Sequence, residues 1–154
     1  TRRKFVKKLI LGLFLILGAV SFAVPNFVNK KYIKDAGYTI DKDENNIFSF
    51  VMSDQESALT IAFFKTDLDP KVLSEGVKNG FSNKIQFLTE LENSKAYVNE
   101  YKADKFYMYI IVPKNQKVKN YSVLATYHYV NRLTKSTVDR SVNFILEEID
   151  SSIK

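Results

Sequence analysis

Apolar positions fall into three patterns along this chain. Between residues 9 and 24 they are nearly continuous, and across 37–64 and 96–130 they alternate with polar residues or form short branched and aromatic runs. Over 69–88 and 136–153 they return every third or fourth position. Period two predicts strands, and a period near 3.6 predicts amphipathic helices. The densest stretch is Phe106–Val112, an apolar and aromatic run. A polar turn, Pro113–Asn120, separates it from Tyr121–Val130. Tyr121, Val123, Ala125, Tyr127 and Tyr129 alternate against Ser122, Leu124, Thr126, His128 and Val130. The two stretches predict a central antiparallel pair that a helix must cover.

Around this pair the pattern supplies further strands. Gly37–Ile40 predicts a short opening strand and Asp41–Asn46 a turn; strands at Ile47–Met52 and Leu59–Phe64 follow, with Ser53–Glu56 as the turn between them. This spacing suggests a meander. Ala96–Tyr101 predicts another strand leading into the central pair.

The first helix is predicted to start at Asp69-Pro70, with Asp as N-cap and Pro at N1. Its stripe runs through Leu73, Val77, Phe81, Ile85 and Leu88. Gly80 could break it, and Ile85–Leu91 alternates well enough to be a strand instead. The closing helix is expected from Ser136, where Ser136-Thr-Val-Asp139 has capping-box spacing. Val138, Val142, Ile145, Leu146, Ile149 and Ile153 form its apolar face.

The N-terminal run changes the picture most. Arg2, Arg3, Lys4, Lys7 and Lys8 precede Leu9–Val20, and small residues follow at Ser21-Phe22-Ala23. Basic start, apolar core and small-residue end make residues 1–23 a secretory signal peptide or, uncleaved, a single-pass membrane anchor. Sixteen residues, Leu9–Val24, are near the lower limit for spanning roughly 30 Å of hydrocarbon. A buried helix of a soluble fold is the third reading. Residues 24–36 then read as a tether and 37–154 as the domain, periplasmic, extracellular or anchored with the domain outside.

Charge follows the same division. The chain carries 23 basic and 17 acidic residues, net +6, but no acid precedes Asp35. Without the five leader charges the formal net is +1. Nucleic-acid binding loses its main support, because phosphate contacts need positive charge concentrated on the folded surface. The absence of cysteine removes disulfides, thiolate nucleophiles and thiolate zinc sites.

The expected fold class is therefore α+β, an antiparallel sheet packed against two helices and preceded by a hydrophobic signal or anchor segment. The strand Ile47–Met52, the Asp69-Pro70 helix, the Phe106–Val130 hairpin and the closing helix from Ser136 occur in an order that resembles the PsbP-like fold of exported bacterial domains and of the photosystem subunit PsbP. The resemblance spans roughly residues 37–154. It implies a non-enzymatic accessory or binding role and carries no functional residue onto this chain.

Candidate chemistry is sparse. His128 is the sole histidine and alternates to the face opposite the tyrosines. Asp41, Asp43 and Asn45 have the spacing of a calcium-loop start, but Met52 stands where the bidentate Glu belongs, and a plain turn is the expectation. Asp67 and Asp69 could form a carboxylate pair, although capping accounts for Asp69. No catalytic residue, metal or cofactor is assigned. Tyrosine is the informative residue: seven of nine lie between Tyr97 and Tyr129. Tyr107, Tyr109, Tyr127 and Tyr129 are expected on one sheet face, as contacts for an envelope protein partner that matter more for binding than for folding. The leading function is a non-catalytic, exported or membrane-tethered binding module. A small apolar-ligand carrier is the alternative, and an enzyme of unfamiliar type stands last.

Overall fold

Strands of the predicted alternation assemble into one seven-stranded antiparallel sheet in a computed structural model, which describes residues 25–44 and 46–154. The strands are β1 (Thr39–Glu44), β2 (Ile47–Ser53), β3 (Ser57–Phe64), β4 (Gln86–Leu91), β5 (Ala96–Lys102), β6 (Tyr107–Pro113) and β7 (Ser122–Tyr129). Helices are α1 (Lys30–Asp35), α2 (Pro70–Asn79) and α3 (Lys135–Ser151). The sheet order is β1-β2-β3-β7-β6-β5-β4. Two meanders therefore meet where β3 pairs with β7, and β7 is the middle strand. Among the described residues no helix is long and apolar enough to cross a membrane.

Both faces of the sheet are apolar, so both need cover. On the first face Phe48, Phe50, Leu59, Ile61, Phe63, Val98, Tyr109, Ile111, Val123 and Ala125 meet Ile33 of α1 and Val138, Val142, Ile145 and Ile149 of α3. On the second face Tyr101, Met108, Ile110 and Val112 pack with Leu73 and Val77 of α2, which lies over β5 and β6. The helices are thus split between the faces rather than gathered on one.

Several expectations change in detail. The stripe from Leu73 to Leu88 is cut after Asn79 by Gly80, and residues 86–91 pair as the edge strand β4. A register shift between Phe87 and Thr89 turns Phe87 toward Tyr101 on the second face and Leu91 toward the first. The turn expected over Asp41–Asn46 gives way to strand as far as Glu44, because Lys42, Asp43 and Glu44 pair with Ser49, Phe48 and Ile47. The segment expected as a tether is folded from residue 25. Val28 bridges Ile153, Lys154 N donates to the Phe27 carbonyl at 2.8 Å, and Ile33 is fully buried. The cap of α3 is Thr134, whose hydroxyl accepts from Thr137 N, in place of Ser136. Asp139 is held by Lys135 and Asn93 instead, and the lysine keeps its carboxyl below the usual range. Asp69 does cap α2, accepting from Lys71 N at 2.9 Å and Val72 N at 3.4 Å. The signal or anchor segment lies outside the described residues.

Candidate functional site

The four tyrosines singled out by pattern do share the first face. Tyr107 stands opposite Tyr129 and Tyr109 opposite Tyr127 across the β6–β7 ladder. Tyr97 and Tyr101 pack on the second face, Tyr101 being buried and Tyr97 half-buried there.

The four then diverge because α3 begins above them. Tyr109 is 1% exposed. Its hydroxyl donates to Glu100 Oε2 at 2.7 Å and accepts from Leu133 N at 2.9 Å. Glu100, only 2% exposed, is reached by Arg132 Nη2 at 2.7 Å and Nε at 3.2 Å. Burial pushes the Tyr109 phenol well above its ordinary value of 10; the Leu133 N–H opposes that and the Glu100 carboxylate adds to it. This network ties the loop after β7 to β5 and β6 and sets where α3 starts. Tyr109 is therefore a folding residue and offers no contact surface, contrary to the expectation from alternation.

Tyr107, Tyr127 and Tyr129 stay half-buried at the margin of α3. The Tyr127 and Tyr129 rings stack at 6.4 Å with planes 11° apart, and Lys102 Nζ lies 4.4 Å from the centre of the Tyr107 ring. Burial raises the Tyr127 phenol, with Ser57 working in the opposite direction.

Tyr127 lines a groove of about 610 Å³ between the β2–β3 turn and α3. Met52 and Leu59 contribute from the strands, and Arg140, Phe144 and Ile145 from the helix. Phe144 is 49% exposed, on a helix whose other large apolar residues point inward. Asp54 shapes the turn by accepting from Glu56 N at 2.8 Å and Ser57 N at 2.7 Å.

A second groove, about 630 Å³, lies on the other side of α3 against the β6–β7 turn. Phe63, Tyr121 and Val123 face Leu146 and Ile149 there, and Lys117 Nζ meets Asp150 Oδ2 at 2.6 Å. Gln116 fastens the turn by accepting from Val123 N at 2.7 Å and donating to the Pro113 carbonyl at 2.9 Å.

The remaining candidates are placed as follows. His128 is 1% exposed on the second face, with Phe106 edge-on at 5.0 Å. Asp69 is the helix cap and Asp67 is exposed beside it. Asp41 and Asp43 lie on β1. Sequence reasoning missed Phe144 and Glu100. A single carboxylate in the inward alternation Ala96, Val98, Glu100 was the available signal for the latter. No protein-family model matches the chain, and neither a curated protein nor a solved structure matches it.

Proposed function

We propose that this protein is a non-catalytic binding module of the cell envelope that takes a protein partner in the groove between Tyr127 and Phe144. The observation that carries the reading is the half-exposed Phe144 on α3, across the groove from the half-buried Tyr127. Aromatic residues with an arginine beside them are what interface centres are enriched in. Met52 and Leu59 give the groove apolar walls, while Arg140 and Asp54 supply polar groups. The occupant is a partner segment carrying one aliphatic or aromatic anchor flanked by polar residues. The basic, apolar start of the chain supports delivery across the cytoplasmic membrane, and the element order is in keeping with the PsbP-like accessory role.

Capture from solubilised envelopes tests this. Phe144→Ala and Tyr127→Ala should each weaken capture of the same partner by about thirtyfold, the size of a truncated interface anchor of roughly 2 kcal/mol. Capture equal to the parent in both variants would refute the groove as the contact.

The second groove favours a second reading, a carrier for a small apolar ligand. Its volume is within the roughly 300–1,000 Å³ of small-molecule sites, and Phe63, Val123, Leu146 and Ile149 supply apolar walls. Leu146→Asp should then abolish binding of an anilinonaphthalene probe while leaving partner capture intact.

A further inference from the structure

The second groove, beside α3 at the β6–β7 turn, has two chemically different ends. At one end Phe63, Tyr121 and Val123 are faced by Ile149 and Ile153. Phe63 is fully buried there, and Phe27 packs edge-on against it at 5.3 Å and against Tyr121 at 4.7 Å. At the other end stand Ser94 and Lys95 of the β4–β5 turn and Asn143 of α3. The two ends are three strand spacings apart, from β5 across β6 and β7 to β3, a span of roughly 14 Å.

The polar end is already held in place. Asn93 Oδ1 accepts from Lys95 N at 2.9 Å and from Ala96 N at 3.2 Å, while its Nδ2 donates to Asp139 of α3 at 2.9 Å. Lys114 N donates to the Lys95 carbonyl at 2.9 Å, which joins this turn to the end of β6. A ligand seated there would not have to order the turn or the helix.

The charges of the lining are unequally matched. Lys117 meets Asp150 at 2.6 Å, and Lys114 Nζ lies 5.0 Å from the centre of the Tyr97 ring. Lys95 Nζ instead donates to a neutral group, Asn143 Oδ1, at 3.0 Å, with no carboxylate in ion-pair distance among the described residues. An ammonium only donates, so Asn143 must turn its oxygen to it. That leaves the Asn143 amide N–H groups without a protein partner among the described residues. Glu147, exposed one turn further along α3, repels an anion from the middle of the groove and leaves the Lys95 end for it.

We propose that this groove takes a single-chain carboxylate amphiphile, a fatty-acid anion, with its head on Lys95 and Asn143 and its tail running over Leu146 and Val123 to Phe63. Charge complementarity carries the inference: a cation unmatched by any protein carboxylate stands at the polar end, and an apolar floor leads away from it. The head would accept charge-assisted hydrogen bonds from the Lys95 ammonium and the Asn143 amide. This rests on the carrier reading of the groove and adds the class of ligand. It involves no residue of the Tyr127–Phe144 groove.

Competition with a neutral reporter, N-phenyl-1-naphthylamine, tests the inference in the full-length protein. Dodecanoate should displace the reporter roughly fivefold more tightly than dodecan-1-ol, the scale of one ion pair at a surface. Lys95→Gln should remove that preference while leaving the alcohol unchanged, and Asn143→Asp should weaken dodecanoate alone. Lys119→Gln, which removes the same charge from an exposed position outside the groove, should keep the preference. Equal displacement by carboxylate and alcohol in the parent, or a preference that survives Lys95→Gln, overturns the proposal and leaves the carrier reading standing. Reporter binding that is absent, or unaffected by Leu146→Asp, overturns both.

Discussion

Replacing Tyr109 with phenylalanine probes the tie that fixes the start of α3. The ring stays and only the hydroxyl is lost, so no cavity of consequence forms. What disappears is a hydrogen bond to the buried Glu100 carboxylate and another from Leu133 N. A hydrogen bond to a charged group is worth about 1.5–3 kcal/mol and a neutral one about 1. Arg132 still holds Glu100, which favours the lower part of that range, and the expected loss is about 2–4 kcal/mol. For a chain of this size each kcal/mol moves the melting midpoint by about 2–4 °C, so Tyr109→Phe should melt on the order of 5–15 °C lower. Urea unfolding followed by circular dichroism gives the free energy directly. Tyr107→Phe, at a half-buried position, should stay within about 0.5 kcal/mol of the parent. A double-mutant cycle with Glu100→Gln should show coupling of about 0.5–3 kcal/mol. If Tyr109→Phe unfolds within 0.5 kcal/mol of the parent, the network does not anchor the helix.

Further expectations concern other parts of the molecule. Ile145→Asp puts a carboxylate at a position 1% exposed under α3 and should abolish cooperative unfolding, whereas Glu147→Ala on the exposed side should leave the melting curve in place. Asp69→Ala should cost about 1 kcal/mol in urea titration, the usual worth of an N-cap. The phenols of Tyr38, Tyr101 and Tyr109 are raised well above 10, chiefly by burial. A raised folded pKa contributes stability that is fully present below the unfolded value near 10 and is lost as pH climbs through the folded values. Absorbance at 295 nm should therefore show these three ionising only together with loss of the near-ultraviolet circular dichroism. Ionisation of all nine tyrosines on an intact fold would contradict that.

Much of the architecture was legible in local pattern. The alternation at Ile47–Met52, Leu59–Phe64 and Tyr121–Val130 survives as β2, β3 and β7, and Asp69-Pro70 does open a helix. Errors arose where short-range signals compete. The i, i+4 spacing of Val77, Phe81 and Ile85 imitates a helix, while Gly80 and pairing with β5 make residues 86–91 a strand. α1 was invisible because six residues with one buried side chain, Ile33, carry no periodic signature. At the candidate site, alternation correctly put Tyr107, Tyr109, Tyr127 and Tyr129 on one face. It could not say that α3 crosses that face at Tyr109, since this depends on the contact of Glu100 with Arg132, 32 residues apart. Phe144 escaped notice for a related reason: only the packed helix reveals that it points out over a groove.

The central claim, that the Tyr127–Phe144 groove holds a protein partner, is tested most directly by photocrosslinking in intact cells. A benzophenone side chain placed at position 144 of the full-length protein should yield one discrete adduct on illumination, and Tyr127→Ala in the same chain should suppress it. The same group at position 72, exposed on α2 on the opposite side of the sheet, should yield none. No adduct at 144, or equal adducts at 144 and 72, would contradict the account.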